Sequence, residues 1–192
     1  MEAILVKDQK AAAFVMEDGT FEGVYRITEK VCGDVEQVTG VRPKIIKWQG
    51  ALQPAQVYVA TLGNSEMSEA IAEEEGIELS SLCGKRECFL FQVLKNGSLL
   101  IAGSDKRGTI YGLFHISELM GVSPFVHFAD VVPAPQKEII FSEKDSMQSK
   151  EPSVKYRGFF INDEWPAFGN WTFSHYGCLL YTSPSPRDGA TS

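Results

Sequence analysis

The chain has 192 residues, a net charge of −7, 44% hydrophobic residues and 11% aromatic residues. This length accommodates about one to one and a half domains, and the composition is that of an ordinary globular core. The negative charge argues against nucleic-acid binding, which needs clustered lysine and arginine, and against anionic membranes. We therefore expect neither a nucleic-acid nor a membrane partner.

The cysteines do not indicate a disulfide framework. Cys178 lies near the C-terminus, which leaves Cys32, Cys83 and Cys88, an odd number, in the body of the chain. None of these has cysteine or histidine neighbours at zinc-ligand spacing. We therefore expect no metal site and no cofactor.

The start of the chain, MEAILV, lacks the charged and apolar regions of a signal peptide. No apolar run is long enough to cross a membrane. We expect a cytoplasmic protein, or a secreted one if the true start lies upstream of Met1. The oligomeric state is left open.

Local signals predict alternating strands and helices up to residue 121. An apolar stripe at helical spacing ends at Gly40, and Asn96-Gly97 between two apolar runs indicates a β-hairpin. A second amphipathic pattern is closed by Gly121. The predicted strands are 3–6, 12–15, 44–48, 56–60, 88–94 and 98–102, and the predicted helices are 24–39, 65–75 and 107–120.

A polar, proline-containing segment divides the chain. Residues 134–153 are predicted to be a linker between a domain over 1–133 and a second unit that begins at residue 154. Strand–helix alternation with at least one antiparallel pair predicts an α/β fold for the first domain, with two layers and a mixed sheet.

The last residues, 178–192, begin with CLLYTSPSPRD. This string resembles a translation of sequencing-adapter DNA, so we interpret 178–192 as an artefact and expect it to be disordered. A natural tail rich in serine and proline is the alternative. On the first interpretation the natural sequence ends at Gly177, and the chain is the front part of a longer protein.

The segment GSDKRGT, residues 103–109, follows a predicted strand and opens a predicted helix. It is close to a phosphate-binding loop, but Thr109 stands where that loop has its lysine. In the alternative that we favour, Gly108 and Gly112 allow the helix to approach the sheet, and Asp105 caps the helix.

The stretch VKYRGFFINDEW, residues 154–165, carries the clearest candidate chemistry. Its aromatic run, 156–161, predicts a buried strand that ends in Asn162, Asp163 and Glu164. Polar groups at the end of a strand are where barrel enzymes place their chemistry, whereas a strand followed by a polar turn is the plainer alternative. Trp165 and the rings that follow could stack on sugar faces or belong to a core.

Two segments together resemble glycoside hydrolase family 115. They are GSDKRGTIYGLFHISELMG with the following VSP, and VKYRGFFINDEWPAFGNWTFSHYG; the opening helix, with VEQVTGVRP, is also similar. The chain departs from the family at 125–128, where FVHF replaces a segment that is often rich in tryptophan. It departs again after Gly177.

The resemblance implies an N-terminal α/β domain followed by the first strand of a truncated (β/α)8 barrel. It implies an inverting xylan α-glucuronidase whose substrate is glucuronoxylan or its oligosaccharides. Asp163 and Glu164 are then catalytic candidates, with Asp163 favoured, and Asn162 and Trp165 are candidates for substrate binding.

Neighbouring residues on a strand point to opposite faces, so Asp163 and Glu164 are not expected to form the acid–base pair by themselves. We expect the fragment to be inactive. A free-standing carbohydrate-binding module over 1–133 is the main alternative, and a nucleotide-binding protein that uses residues 103–109 is the other.

Overall fold

The computed structural model describes residues 1–63, 65–126, 128–129, 131–160 and 168–177. The chain divides into two units, Met1–Ser153 and Val154–Ser192, which are described separately. None of the helices within these ranges is long and apolar enough to cross a bilayer.

The first unit alternates strands and helices as the local signals predict, with ends shifted by one or two residues. The mixed α/β class is therefore confirmed. The elements are β1 Glu2–Lys7, β2 Lys10–Ala11, β3 Phe14–Met16, α1 Glu22–Thr39, β4 Ile45–Lys47, β5 Val57–Thr61, α2 Glu66–Glu75, β6 Phe89–Val93, β7 Leu99–Gly103, α3 Lys106–Leu119, β8 Ile139–Ser142 and β9 Met147–Gln148.

The larger sheet has the strand order β4-β3-β5-β7-β6-β9. Its first four strands are parallel, whereas β6 is antiparallel to both β7 and β9. Along β5, Val57 and Val59 belong to one core and Tyr58 and Ala60 to another, as the two-residue period of a strand requires. Helices α1 and α3 cover the first face and α2 covers the second, which makes one layer more than the expected two.

The smaller sheet has the order β2-β1-β8 and is antiparallel throughout. Asp8 and Gln9 connect β1 to β2, with φ angles of 49° and 58°. Leu5 and Val6 of β1 join the core that α1 and α3 share, together with Ile139 and Phe141 of β8. The small sheet therefore completes the same core as the large one.

The segment that we expected to be a linker, 134–153, contributes a strand to each sheet. Strand β8 pairs with β1, and β9 pairs with β6. Strand β8 shows the alternation of a half-buried strand, since Ile139 and Phe141 are buried in the core while Ile140 is exposed. Strand β9 contains only two residues, both exposed, so it produces no apolar signal in the sequence.

The second unit corrects the strand prediction over 156–161. Its described part, 156–160, forms no strand, and Tyr156, Phe159 and Phe160 are 86%, 95% and 94% exposed. A strand is stable only when a neighbouring strand completes its hydrogen bonds, and no described strand pairs with this segment. Further along, within the described residues 168–177, helix α4 spans Phe168–Tyr176.

Candidate functional site

The predicted site residues Asn162, Asp163, Glu164 and Trp165 lie outside the residues that the structure describes. Their roles therefore stay predictions. The described residues on either side are the exposed segment 154–160 and helix α4.

Helix α4 begins three residues after Trp165 with a stack of aromatic rings. The centroids of Phe168 and Trp171 are 5.0 Å apart with an angle of 21° between the rings, and those of Trp171 and His175 are 4.3 Å apart with an angle of 24°. Because the two partners lie one turn before and one turn after Trp171, the faces of the indole are occupied within the helix. Trp171 is therefore unsuited to stacking on a sugar.

The histidine is held in one orientation. His175 Nδ1 lies 2.8 Å from the Trp171 carbonyl oxygen, which can only accept, so Nδ1 carries the proton of this hydrogen bond. Phe173 and Tyr176, in contrast, are 62% and 70% exposed. In the described part of the chain, both of these rings present open surface.

At the second candidate site, the start of α3, the backbone N–H groups are already bound by a carboxylate of the protein itself, that of Asp105. Asp105 Oδ1 accepts the N–H of Gly108 at 2.8 Å, and Oδ2 accepts the N–H of Glu87 at 3.0 Å. A phosphate-binding loop uses such backbone N–H groups to contact phosphate oxygens. Here the carboxylate of Asp105 takes that place, which confirms its predicted role as the helix cap.

The two glycines of this motif, and Gly112 one turn further along α3, allow close packing. A Cβ on Gly108 would lie 2.0 Å from the Cys88 carbonyl oxygen, one on Gly103 would lie 2.1 Å from the Thr109 nitrogen, and one on Gly112 would lie 2.6 Å from Ile101. Real Cβ atoms do not come this close to other heavy atoms, so the helix can approach the strands only with glycine at these positions. This confirms the packing interpretation of the motif.

Thr109 also belongs to the interface between helix and sheet. Its hydroxyl lies 2.7 Å from that of Thr61 at the end of β5, and it donates to the Ala60 carbonyl oxygen at 3.2 Å. Thr109 is fully buried, so it is not available to a nucleotide. The geometry therefore does not support a phosphate site at residues 103–109.

Asp34 is a buried acid between α1 and α3, and no sequence pattern marked it as a candidate functional residue. Asp34 accepts from the Ser117 hydroxyl at 2.8 Å and from Lys30 Nζ at 3.0 Å. The position is visible in the sequence, since Asp34 falls on the same helical face as Val31, Val35 and Val38. All its contacts are internal, so its role is to join the two helices.

The two buried cysteines, Cys32 and Cys88, are unsuited to nucleophilic chemistry. Burial raises the pKa of the Cys32 thiol to about 12, with the negative charge of Glu29 adding to the effect. Burial also raises the pKa of Cys88. Within the described part of the chain, no three His, Cys, Asp or Glu side chains are grouped so as to hold a metal ion.

Comparison with known proteins gives a family match and similar solved structures. The model of glycosyl hydrolase family 115 matches residues 149–184, a range that includes Asn162, Asp163, Glu164 and helix α4. It ends seven residues beyond Gly177, within the segment that we interpret as adapter-derived. No curated protein sequence matches the chain.

Among solved structures, the chain is similar to BtGH115A, described as a family GH115 4-O-methyl-α-glucuronidase with specificity for decorated arabinogalactans. The TM-score is 0.73 and the identity 30%, over 95% of this chain and 22% of that one. A second structure, CpGH84D, has a TM-score of 0.46 and 11% identity, over 73% of this chain and 21% of that one.

The mixed α/β fold and the two family 115 matches place the chain in a class of protein families named for glycoside hydrolysis. The chain belongs to glycoside hydrolase family 115, and it spans about a fifth of the length of BtGH115A.

Proposed function

We propose that the chain is part of a hydrolase that removes glucuronic acid, or its 4-O-methyl ether, from the side chains of a plant polysaccharide. The observation that carries this proposal is the 30% identity to BtGH115A across 95% of the chain. The family match over residues 149–184, which lies mostly in the second unit, also supports it.

The two lines of support differ in the polysaccharide backbone that carries the uronic acid. The sequence resemblance implies glucuronoxylan, whereas BtGH115A is specific for decorated arabinogalactans. The two descriptions agree on a glucuronidase activity, so recognition of the uronic acid is the part of the proposal that both support. We propose glucuronoxylan as the substrate, with arabinogalactan as the competing backbone.

Inverting hydrolysis requires two carboxyl groups about 6.5–9.5 Å apart, one to protonate the leaving oxygen and one to activate water. We propose that Asp163 lines the site and that its carboxyl partner comes from elsewhere in the parent protein, because Glu164 on adjacent extended backbone would point away. Asn162 would hydrogen-bond the sugar or orient Asp163, and Trp165 would contact the sugar ring.

The test uses the full-length parent enzyme with Asp163→Asn. We expect kcat for the release of 4-O-methylglucuronic acid from glucuronoxylan to fall at least about a hundredfold, the usual effect of losing a positioned acid or base. Glu151→Gln, an exposed acid on the first unit, is the matched control and should leave kcat unchanged.

Two results separate the parts of the proposal. Unchanged turnover by a folded Asp163→Asn enzyme would remove Asp163 from the site. Release of the uronic acid from arabinogalactan but not from xylan would overturn the proposed backbone and leave the proposed glucuronidase activity in place.

A further inference from the structure

The last residues of the first unit are bound along the outer edge of β6. We call residues 146–152 the exit segment. The Ser146 hydroxyl accepts the Val93 N–H at 3.0 Å, and the Ser149 hydroxyl accepts the Phe89 N–H at 2.8 Å. Ser149 also donates its own N–H to the Phe89 carbonyl oxygen at 2.9 Å. Serine side chains thus extend a two-residue strand into a longer line of hydrogen bonds.

A second set of contacts holds the other side of the exit segment. The Ser81 hydroxyl lies 2.8 Å from Gln148 Oε1. Arg86 Nη2 donates to the Pro152 carbonyl oxygen at 3.0 Å and lies within 3.4 Å of Glu151. Arg86 therefore contacts the exit segment at its last two residues.

The contact with Pro152 has a particular importance. Proline has no N–H, so the carbonyl oxygen is the only main-chain group of Pro152 that can be bound. Arg86 occupies it with a charged donor, and such hydrogen bonds are stronger than neutral ones. The ion pair with Glu151 contributes less, because both side chains are about one-third to one-half exposed.

We propose that Arg86 locks the exit segment and so fixes Pro152 as the last residue held by the first unit. The connection to the second unit then opens at Ser153. Loss of Arg86 frees the chain back toward Ser149 while the core of the first unit stays folded, since the guanidinium contacts the exit segment at its outermost residues.

A lysine-specific protease tests this proposal on the complete 192-residue chain. The Lys150–Glu151 bond lies inside the exit segment, and the Lys155–Tyr156 bond lies beyond it and serves as the internal reference. In the unmodified chain we expect cleavage after Lys150 to be much slower than cleavage after Lys155.

Arg86→Ala should speed cleavage after Lys150 about tenfold, as local opening becomes easier, and leave the rate after Lys155 unchanged. Glu151→Gln should change the rate after Lys150 by no more than about twofold, since it keeps the Pro152 contact. Arg42→Ala is the matched control, because Arg42 pairs with Glu29 and Glu36 on α1 and makes no contact with the exit segment.

An unchanged rate after Lys150 in Arg86→Ala would overturn the proposal. An equal increase in Arg42→Ala would also overturn it, because the protection would then reflect global stability. If Arg86→Ala lowers the midpoint of urea unfolding, amide exchange in the unmodified chain supplies the second readout. We expect the amides of Phe89 and Ser149 to exchange as slowly as those in the core of β7. Exchange as fast as in 154–160 would contradict the proposal that the exit segment is locked.

Discussion

Three glycines determine how closely α3 approaches the large sheet. At Gly108 a Cβ would meet backbone atoms of Cys88, and at Gly103 it would meet the backbone nitrogen of Thr109; backbone atoms cannot rotate away. At Gly112 the obstacle is the buried side chain of Ile101. The interface is thus determined by the absence of side chains at these positions.

Gly108→Ala should destabilise the first unit by about 2–4 kcal/mol, because its Cβ would lie 2.0 Å from the Cys88 carbonyl oxygen. Gly33→Ala is the control. Its Cβ would lie 3.4 Å from the flexible tip of Arg42, and alanine is favoured inside a helix, so we expect a gain of about 0.5–1 kcal/mol. Urea unfolding measures both, and equal stability of the two variants would contradict the packing argument.

The thiols should differ sharply in reactivity. The thiolate is the reactive form, and burial raises the pKa of Cys32 to about 12 and also raises that of Cys88. At pH 8, iodoacetamide should label the exposed Cys83 and leave Cys32 and Cys88 unmodified until the chain is unfolded in urea. Labelling of Cys32 as fast as Cys83, seen by peptide mass spectrometry, would contradict this.

At the scale of elements, the segment 134–153 joins the two sheets. Strand β8 adds to the small sheet and β9 to the large one, and the ring of Phe141 contacts that of Phe91 on β6 edge to face, with centroids 5.3 Å apart. The two sheets therefore share side chains as well as a core.

Phe141→Ala should cost about 3–5 kcal/mol of stability, the usual loss for a buried phenylalanine. Ile140→Ala, one residue away on the outward face of β8 and 36% exposed, should cost about 1 kcal/mol or less. Thermal and urea unfolding distinguish the two variants. A small loss in Phe141→Ala would mean that this segment behaves as a linker after all.

The predictable elements are those whose signal is local. Asn96-Gly97 specified the hairpin, Asp105 the start of α3 and Gly40 the end of α1, which has φ of 76° in the structure. Strand β9 was not predictable, because its pairing depends on backbone groups and serine hydroxyls that lie far from β6 in sequence. The strand predicted over 156–161 is absent from its described part, 156–160, for a related reason. Residues with a strong propensity for extended structure do not form a strand without a partner strand.

The candidate site was predicted from a strand ending in carboxylates and from family resemblance, and these are different kinds of support. The comparisons confirm the family. The roles of Asn162, Asp163, Glu164 and Trp165 depend on distances between strands of a barrel, and spacing along one strand does not determine such distances. What the structure adds is the internal stack around Trp171 and the self-capped start of α3.

At the scale of the whole molecule, we predict that the 192-residue chain has no α-glucuronidase activity. A (β/α)8 barrel takes about 250 residues, and its catalytic groups come from several strands. The segment 156–160 here is exposed and has no strand neighbour in the described structure. The assay is the release of 4-O-methylglucuronic acid from glucuronoxylan, with the parent enzyme as the positive control. Multiple turnover by a monodisperse sample of this chain would place the active site within it.

The pairing of β1 with β8 has a consequence for how the first unit is made. Glu2 lies opposite Ser142, and the Glu143 N–H donates to the Met1 carbonyl oxygen at 3.1 Å, so β1 pairs with a strand about 140 residues later in the chain. Contacts so distant along the chain slow folding, because the loop between them must close first. A nascent chain that stops short of Ile139 leaves one edge of β1 unpaired, and the core residues Leu5 and Val6 lack their cover from β8. Such a chain is open to misassociation during translation until its small sheet closes.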